Sequence, residues 1–197
     1  MGDNETSNYY SNMKKIAFIF CVCLLALSVQ AQDPTTHLKF MGIELNGNII
    51  DFQTKLLGKG LTISKMNNQY PTGIRAYDGI FSGENAEILV WYNPRSKQVY
   101  RAKAIISREG KDLIEQLKSS FENKLDLKYG TDNKTTNSFK DERLHEFNQE
   151  SYFVGNGTID LFIVSTSYIA QSTFYLHIDY KDLENYAKNT ADEMDDL

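Results

Sequence analysis

Three histidines are present, His37, His145 and His177, and one of them stands in company that could do chemistry. Tyr175, His177 and Asp179 alternate along an apolar stretch, so a strand would set all three on one face. A histidine and an aspartate placed this way could pass a proton or contribute to a metal site. A solvent-facing strand needs the same alternation, with Phe174, Leu176, Ile178 and Tyr180 turned to a core, and that plainer reading accounts for every residue. No histidine stands in a paired metal spacing such as H-E-x-x-H, and Asp126 to Asp132 lacks the ligand spacing of a calcium loop. Neither a metal site nor a cofactor is expected.

Nucleophiles offer less. The chain has no G-x-S-x-G and no S-x-x-K, and Ser165, Thr166 and Ser167 read as loop residues. Carboxylates are many. Glu84 and Glu87 flank a hairpin, and Glu146 and Glu150 fall in one strand, but glycoside chemistry requires two that face each other across a cleft. Aromatics are the other resource, with 12 Tyr, 11 Phe and the single tryptophan Trp91. Tyr70, Tyr77, Tyr152 and Tyr168 lie in or beside expected loops and turns, where a binding edge could form. Half-buried sheet filler is the competing account of these tyrosines.

An address is easier to read than an activity. Lys14 and Lys15 follow Met13, an apolar run extends from Ile16 to Leu27, and Val29 and Ala31 satisfy the small-residue rule of signal peptidase. Residues 13–31 therefore read as a cleavable signal peptide, with cleavage between Ala31 and Gln32. The apolar run is about a dozen residues, short of the roughly 20 that a membrane-spanning helix needs. Residues 1–12 are polar and foreign to such a signal, which makes Met13 the expected start. Neither Cys21 nor Cys23 has the small residue before it, or the leucine three before it, of a lipidation site. Both cysteines lie in the apolar run, so the exported chain would hold no disulfide, thiol nucleophile or thiolate metal site. With 26 acidic against 21 basic residues, a net −5, nucleic acid is an unsuitable partner.

The elements that would position these residues read as α+β, with helices packed on antiparallel sheet. Leu38 to Leu45 is apolar enough for a strand, broken at Gly42. A helix fits Asn48 to Leu57, with Asn48 as N-cap and Ile49, Phe52, Leu56 and Leu57 at helical spacing. Leu61 to Ser64 is a short strand candidate, and Asn67 to Gly73 a loop. Tyr77 to Phe81, Glu87 to Tyr92 and Gln98 to Ser107 are strands parted by turn signals. In the last, Tyr100, Ala102, Ala104 and Ile106 alternate with Val99, Arg101 and Lys103, which gives one buried and one wetter face. Lys111 to Lys128 is the clearest helix, its inner face marked by Leu113, Ile114, Leu117, Phe121 and Leu125. Thr131 to Asp141 reads as a long polar loop. Leu144 to Val154 and Thr158 to Val164 flank a turn at Gly155-Asn156-Gly157. Ser165 to Ser172 is an expected loop, Thr173 to Tyr180 the last strand, and Lys181 to Asn189 a short helix with Leu183, Tyr186 and Ala187 inward. The order helix then three strands occurs twice, which suggests two tandem α-β-β-β units, residues 37–107 and 108–190, within a single mature domain, 32–197.

Two stretches carry a resemblance: His37 to Gly47, with its Phe40-Met41-Gly42-Ile43, and Leu127-Lys128-Tyr129-Gly130. They resemble the small uncharacterised exported proteins of gut-dwelling Gram-negative bacteria, in which a mature chain begins with F-M-G-I and a second helix ends in K-Y-G. The doubled helix-and-sheet pattern is also similar to β-lactamase-inhibitor-like and outer-membrane-assembly lipoprotein (BamE-like) modules, which implies binding rather than catalysis. The expectation is a periplasmic or secreted, non-enzymatic binding protein whose partner is another envelope protein or a surface polymer. The alternative is a hydrolase using carboxylates or the His177–Asp179 pair.

Overall fold

The computed structural model describes residues 36–140, 146–168 and 171–194. The expected signal segment, its Ala31–Gln32 junction and His145 lie outside them. The described residues belong to one compact unit, Ala31–Leu197.

The stretch expected as one broken strand is a tight hairpin. Strands β1 (Lys39–Phe40) and β2 (Ile43–Glu44) pair antiparallel, Phe40 opposite Ile43. Met41 and Gly42 between them both have positive φ, 50° and 77°, the signature of a type I′ turn, which only a glycine enters freely. Helix α1 (Ile49–Gly58) starts where Asn48 accepts a hydrogen bond from the Ile50 amide at 2.9 Å. It buries Ile49, Phe52 and Leu56, whereas Leu57, read as inward, is 39% exposed.

The remaining strands form one antiparallel sheet. They are β3 (Thr62–Ile63), β4 (Ile74–Phe81), β5 (Glu84–Tyr92), β6 (Val99–Arg108), β7 (Lys134–Lys140), β8 (Glu146–Val154), β9 (Gly157–Tyr168) and β10 (Gln171–Asp182). Their order is β3-β4-β5-β6-β10-β9-β8-β7. Helix α2 (Lys111–Tyr129) separates β6 from β7, and α3 (Leu183–Met194) follows β10. The α+β architecture is as the sequence suggested. A helix followed by strands occurs twice, and the two sets meet at β6 and β10.

Each set is wider by one edge strand than three strands would make it. Thr131 to Asp141 is not a loop throughout, because β7 pairs with β8 from Lys134 opposite Tyr152 to Lys140 opposite Glu146. Its polar sequence suits an outer edge, where charge and hydroxyls discourage further strand addition. Ser165 to Ser172 is not a loop either, since β9 and β10 stay paired out to Tyr168 opposite Gln171.

The helices pack on the face that carries Ala102, Ala104 and Ile106 of β6, Ile88 and Val90 of β5, and Leu176 and Ile178 of β10. Helix α2 brings Ile114, Phe121 and Leu125 to that core. Leu113, read as inward, is 56% exposed, because the buried stripe runs through its neighbour Ile114. Helix α3 departs most from expectation. Leu183 and Tyr186 are 40% and 39% exposed, while Asn185 and Asn189 are nearly inaccessible at 2% and 5%. Asn185 is turned inward because the Leu45 carbonyl and the Gln98 amide need partners there, at 2.8 and 3.0 Å. The buried Asp182 caps the helix through the Asn185 amide at 3.0 Å, and its other oxygen lies 2.8 Å from His37 Nδ1. Among the described residues, the one close histidine–aspartate pair is thus a helix cap, which accounts for His37.

Candidate functional site

The face opposite the helices is built from the odd-numbered residues of β5, of β6 from Arg101 onward and of β10, with their partners. Val99 joins the core instead, because the register shifts between Trp91 and Tyr92. Register sets them in three rows across the sheet. One row runs Trp91, Arg101, Lys181 and Thr158, the next Leu89, Lys103, Asp179 and Asp160, and the third Glu87, Ile105, His177 and Phe162. Each strand alternates, so the same residues that send Ala102 and Ile178 to the core must send Arg101, Lys103 and Asp179 here.

Charge on this face is organised around Asp179. Arg101 Nε donates to Asp179 Oδ1 at 2.8 Å, Arg101 Nη2 reaches Oδ2, and Lys103 Nζ stands 3.1 Å from Oδ2. Burial alone would push the Asp179 carboxyl up, but the guanidinium and the ammonium outweigh it and hold the group below the usual aspartate range. Burial pulls the Lys103 ammonium below the usual lysine range even though Asp179 opposes it. Arg101 also lies over the Trp91 ring, 4.4 Å from its centroid, and Lys103 is 5.4 Å from the Phe162 ring. Cations are therefore braced between a carboxylate and aromatic faces.

His177 is stacked on Phe162, centroids 4.9 Å apart and planes within 24°. Its Nδ1 is buried with no hydrogen-bond partner among the described residues. Burial first, then the Lys103 charge, drives its pKa from 6.5 down to about 4, so the ring is neutral at neutral pH. His177 and Asp179 do share a face, as their spacing requires, yet no hydrogen bond joins them. A carboxylate already held by two cations is a poor orienter for an imidazole. Across β9, burial pushes the Asp160 carboxyl up, while a hydrogen bond with Ser151 opposes the shift.

The four tyrosines separate. Tyr70 reaches this face from the loop before β4, its hydroxyl donating to Glu87 Oε1 at 2.8 Å, and burial and then Glu87 raise its pKa to about 12. Tyr77 and Tyr152 form no binding edge: both side chains are 0% exposed. Tyr77 points to the helix side, where Gln53 Oε1 lies 3.2 Å from its hydroxyl, and Tyr152 donates to Asp126 Oδ1 at 2.6 Å. Adjacent turn residues suggested an edge, but strand parity sends both rings inward. Tyr168 ends β9 opposite Gln171.

Trp91, Arg101, Lys103, Asp160 and Phe162 escaped the sequence reading as site residues. Arg101 and Lys103 were visible as the wetter side of an alternating strand, but nothing local placed them against Asp179, which lies on a strand joined only through the whole second unit. Three large apolar side chains also stand exposed on this face, Ile80 at 54%, Phe153 at 50% and Phe139 at 41%. Among the described residues no group of three or more His, Cys, Asp or Glu could hold a metal ion, and no helix is long and apolar enough to cross a membrane. No family model, curated protein or solved structure matches this chain.

Proposed function

We propose that this chain is an exported, non-enzymatic binding protein of the bacterial envelope, and that the sheet face around Trp91, Arg101 and Phe162 takes another envelope protein. The observation that carries this reading is a mixed-charge aromatic patch on the face opposite α1 and α2, where Tyr186 of α3 reaches only the Lys181 end, 5.2 Å from its ammonium. Tryptophan and arginine are the side chains that most often dominate interface energetics. Here they are held in place by ladder pairing and by Asp179, so little side-chain freedom remains to be lost on docking. The six strands β4, β5, β6, β10, β9 and β8 are 8 to 12 residues long. At about 4.8 Å spacing and about 3.3 Å per residue they offer roughly 950 Å², enough for the ~800 Å² per partner of a stable interface. The exposed Ile80, Phe139 and Phe153 extend the patch in apolar terms.

Export rests on the order of Lys14-Lys15, apolar run and Ala31. The doubled helix-and-sheet plan is also the plan that β-lactamase-inhibitor-like binding modules suggest. The test is affinity capture of tagged protein after crosslinking in the native envelope, comparing wild type with Trp91→Ala and Phe162→Ser. One dominant partner, lost more than about tenfold in both variants while their melting temperatures hold, supports the assignment. Efficient turnover of an envelope substrate abolished by a single side-chain change would overturn it.

A further inference from the structure

A second surface, on the helix side, has different chemistry. The β1–β2 turn, the C-terminal half of α2, the β4–β5 turn and the end of α1 enclose a cavity of about 550 Å³. Its floor is aromatic. Phe81 stacks on Phe121 at 5.9 Å and Tyr180 lies edge-on to Phe81 at 6.4 Å, with the fully buried Phe40 packed against Phe81 and Tyr180. Its rim is Lys39, Lys59, Lys124 and Lys128, and no carboxylate is among its lining residues. That composition runs against the chain as a whole, which carries a net −5.

Little neutralises the rim. Lys39 meets Glu44 at 3.3 Å. Among the described residues, Lys124 reaches only the Ser82 hydroxyl at 3.2 Å and the Phe121 ring at 4.9 Å, and Lys128 lies 4.8 Å over the Tyr129 ring. Tyr180, also lining the cavity, makes no hydrogen bond among the described residues, and burial holds its hydroxyl protonated far above neutral pH. It is a donor without an acceptor. The two stretches that stand out in the sequence, Phe40-Met41-Gly42-Ile43 and Lys128-Tyr129-Gly130, meet at this one place, because Met41 and Gly42 line one side and Lys128 and Tyr129 the other.

We infer that this cavity binds a small amphiphilic anion: one acid group on an aromatic or aliphatic body, a free molecule rather than a lipid in a bilayer. The volume lies in the range of small-molecule sites, roughly 300–1,000 Å³. The apolar floor takes the body, and lysines held beside low-dielectric rings attract the acid group more strongly than they would in open water. An inorganic anion would leave the floor unused, and a neutral hydrophobe would leave the cations without a counter-charge.

The test compares two dyes that differ only in the acid group, 8-anilinonaphthalene-1-sulfonate and neutral N-phenyl-1-naphthylamine, by fluorescence titration of purified protein produced from the full chain. The expected result is saturable binding of about one sulfonate dye per chain, roughly tenfold tighter than the neutral dye. Decanoate should displace it, and added salt should weaken it. Lys124→Ser/Lys128→Ser should weaken the sulfonate dye about tenfold and leave the neutral dye unchanged, whereas Lys188→Ser on α3 should change neither. These lysines are exposed, so folding is not at stake, and Lys59→Ser supplies an independent loop variant. No binding, equal affinity for the two dyes, or sulfonate binding that the rim variants leave intact would overturn the assignment.

Discussion

Replacing His177 with phenylalanine should remove a pH-dependent weakness from the sheet. In the folded chain burial and Lys103 drive the imidazole pKa from 6.5 to about 4. At about 1.4 kcal/mol for each tenfold change in proton affinity, that fall corresponds to about 3 kcal/mol. Its sign follows from which state binds the proton. Between pH 6.5 and about 4 the unfolded chain protonates this histidine and the folded chain does not. Stability is therefore full above pH 6.5 and declines as pH falls toward 4. The groups facing His177 act around the same window: Lys103 and Arg101 from β6 oppose its protonation, and Asp179 on its own strand favours it. Asp160 on β9 has the opposite sign, its carboxyl held up by burial, so it favours the folded state most at low pH. A phenylalanine keeps the stack on Phe162 and removes only the titrating nitrogens. Urea denaturation of wild type and His177→Phe, repeated from pH 7.5 to 4, isolates the contribution as the difference between two curves. The variant should gain up to about 3 kcal/mol on wild type at the acid end. Parallel curves, or a His177 ring that titrates near 6.5 by NMR, would refute the reasoning.

Asp179→Asn leaves Arg101 and Lys103 facing each other without a counter-charge and should destabilise by about 3–5 kcal/mol in denaturant melts, whereas replacing all three by apolar residues of similar size should be nearly neutral. Because the folded Asp179 carboxyl lies below its ordinary 3.8, its contribution should be complete above that pH and lost as acid takes the pH through the folded value; the Asn variant should lack this step. Gly157→Ala should cost about 2 kcal/mol or more in melts, since the added Cβ would sit 2.6 Å from the Lys181 carbonyl oxygen and 3.0 Å from Leu38. Tyr152→Phe removes the hydrogen bond to Asp126 Oδ1, which keeps Lys134 at 3.7 Å, and should cost about 1 kcal/mol by the same assay. N-terminal sequencing of protein recovered from the envelope should begin at Gln32; an intact Met13 or Met1 end would contradict export by cleavage.

What could be read in advance was whatever a local pattern specifies. Asn48 before Ile49 and Phe52 announced a capped helix, the 3.6-residue stripe announced α2, and alternation in β6 separated Ala102 and Ala104 from Arg101 and Lys103. Features set by long-range pairing could not be read this way. Lys134–Lys140 looks like a loop because an edge strand keeps few apolar residues, and Thr135, Thr136 and Phe139 are its only β-favouring residues. Asn185 faces inward against hydrophobic expectation, since the Leu45 carbonyl that it pairs lies 140 residues earlier in the chain. The Arg101–Lys103–Asp179 group needed the register between β6 and β10, and that register is set by the whole second unit. Of the two accounts of Tyr77 and Tyr152, sheet filler is the one that holds, because strand parity turns both rings inward despite the nearby turns.

Site-directed photo-crosslinking in the living envelope tests the binding face most directly. A photoreactive residue at Ile105 or Tyr175, on the face with Arg101 and His177, should yield one crosslinked protein band. The same residue at Gln116 or Asn123, on the exposed side of α2, should yield none. A band from the helix positions with none from Ile105 and Tyr175 would place the partner elsewhere and contradict the account.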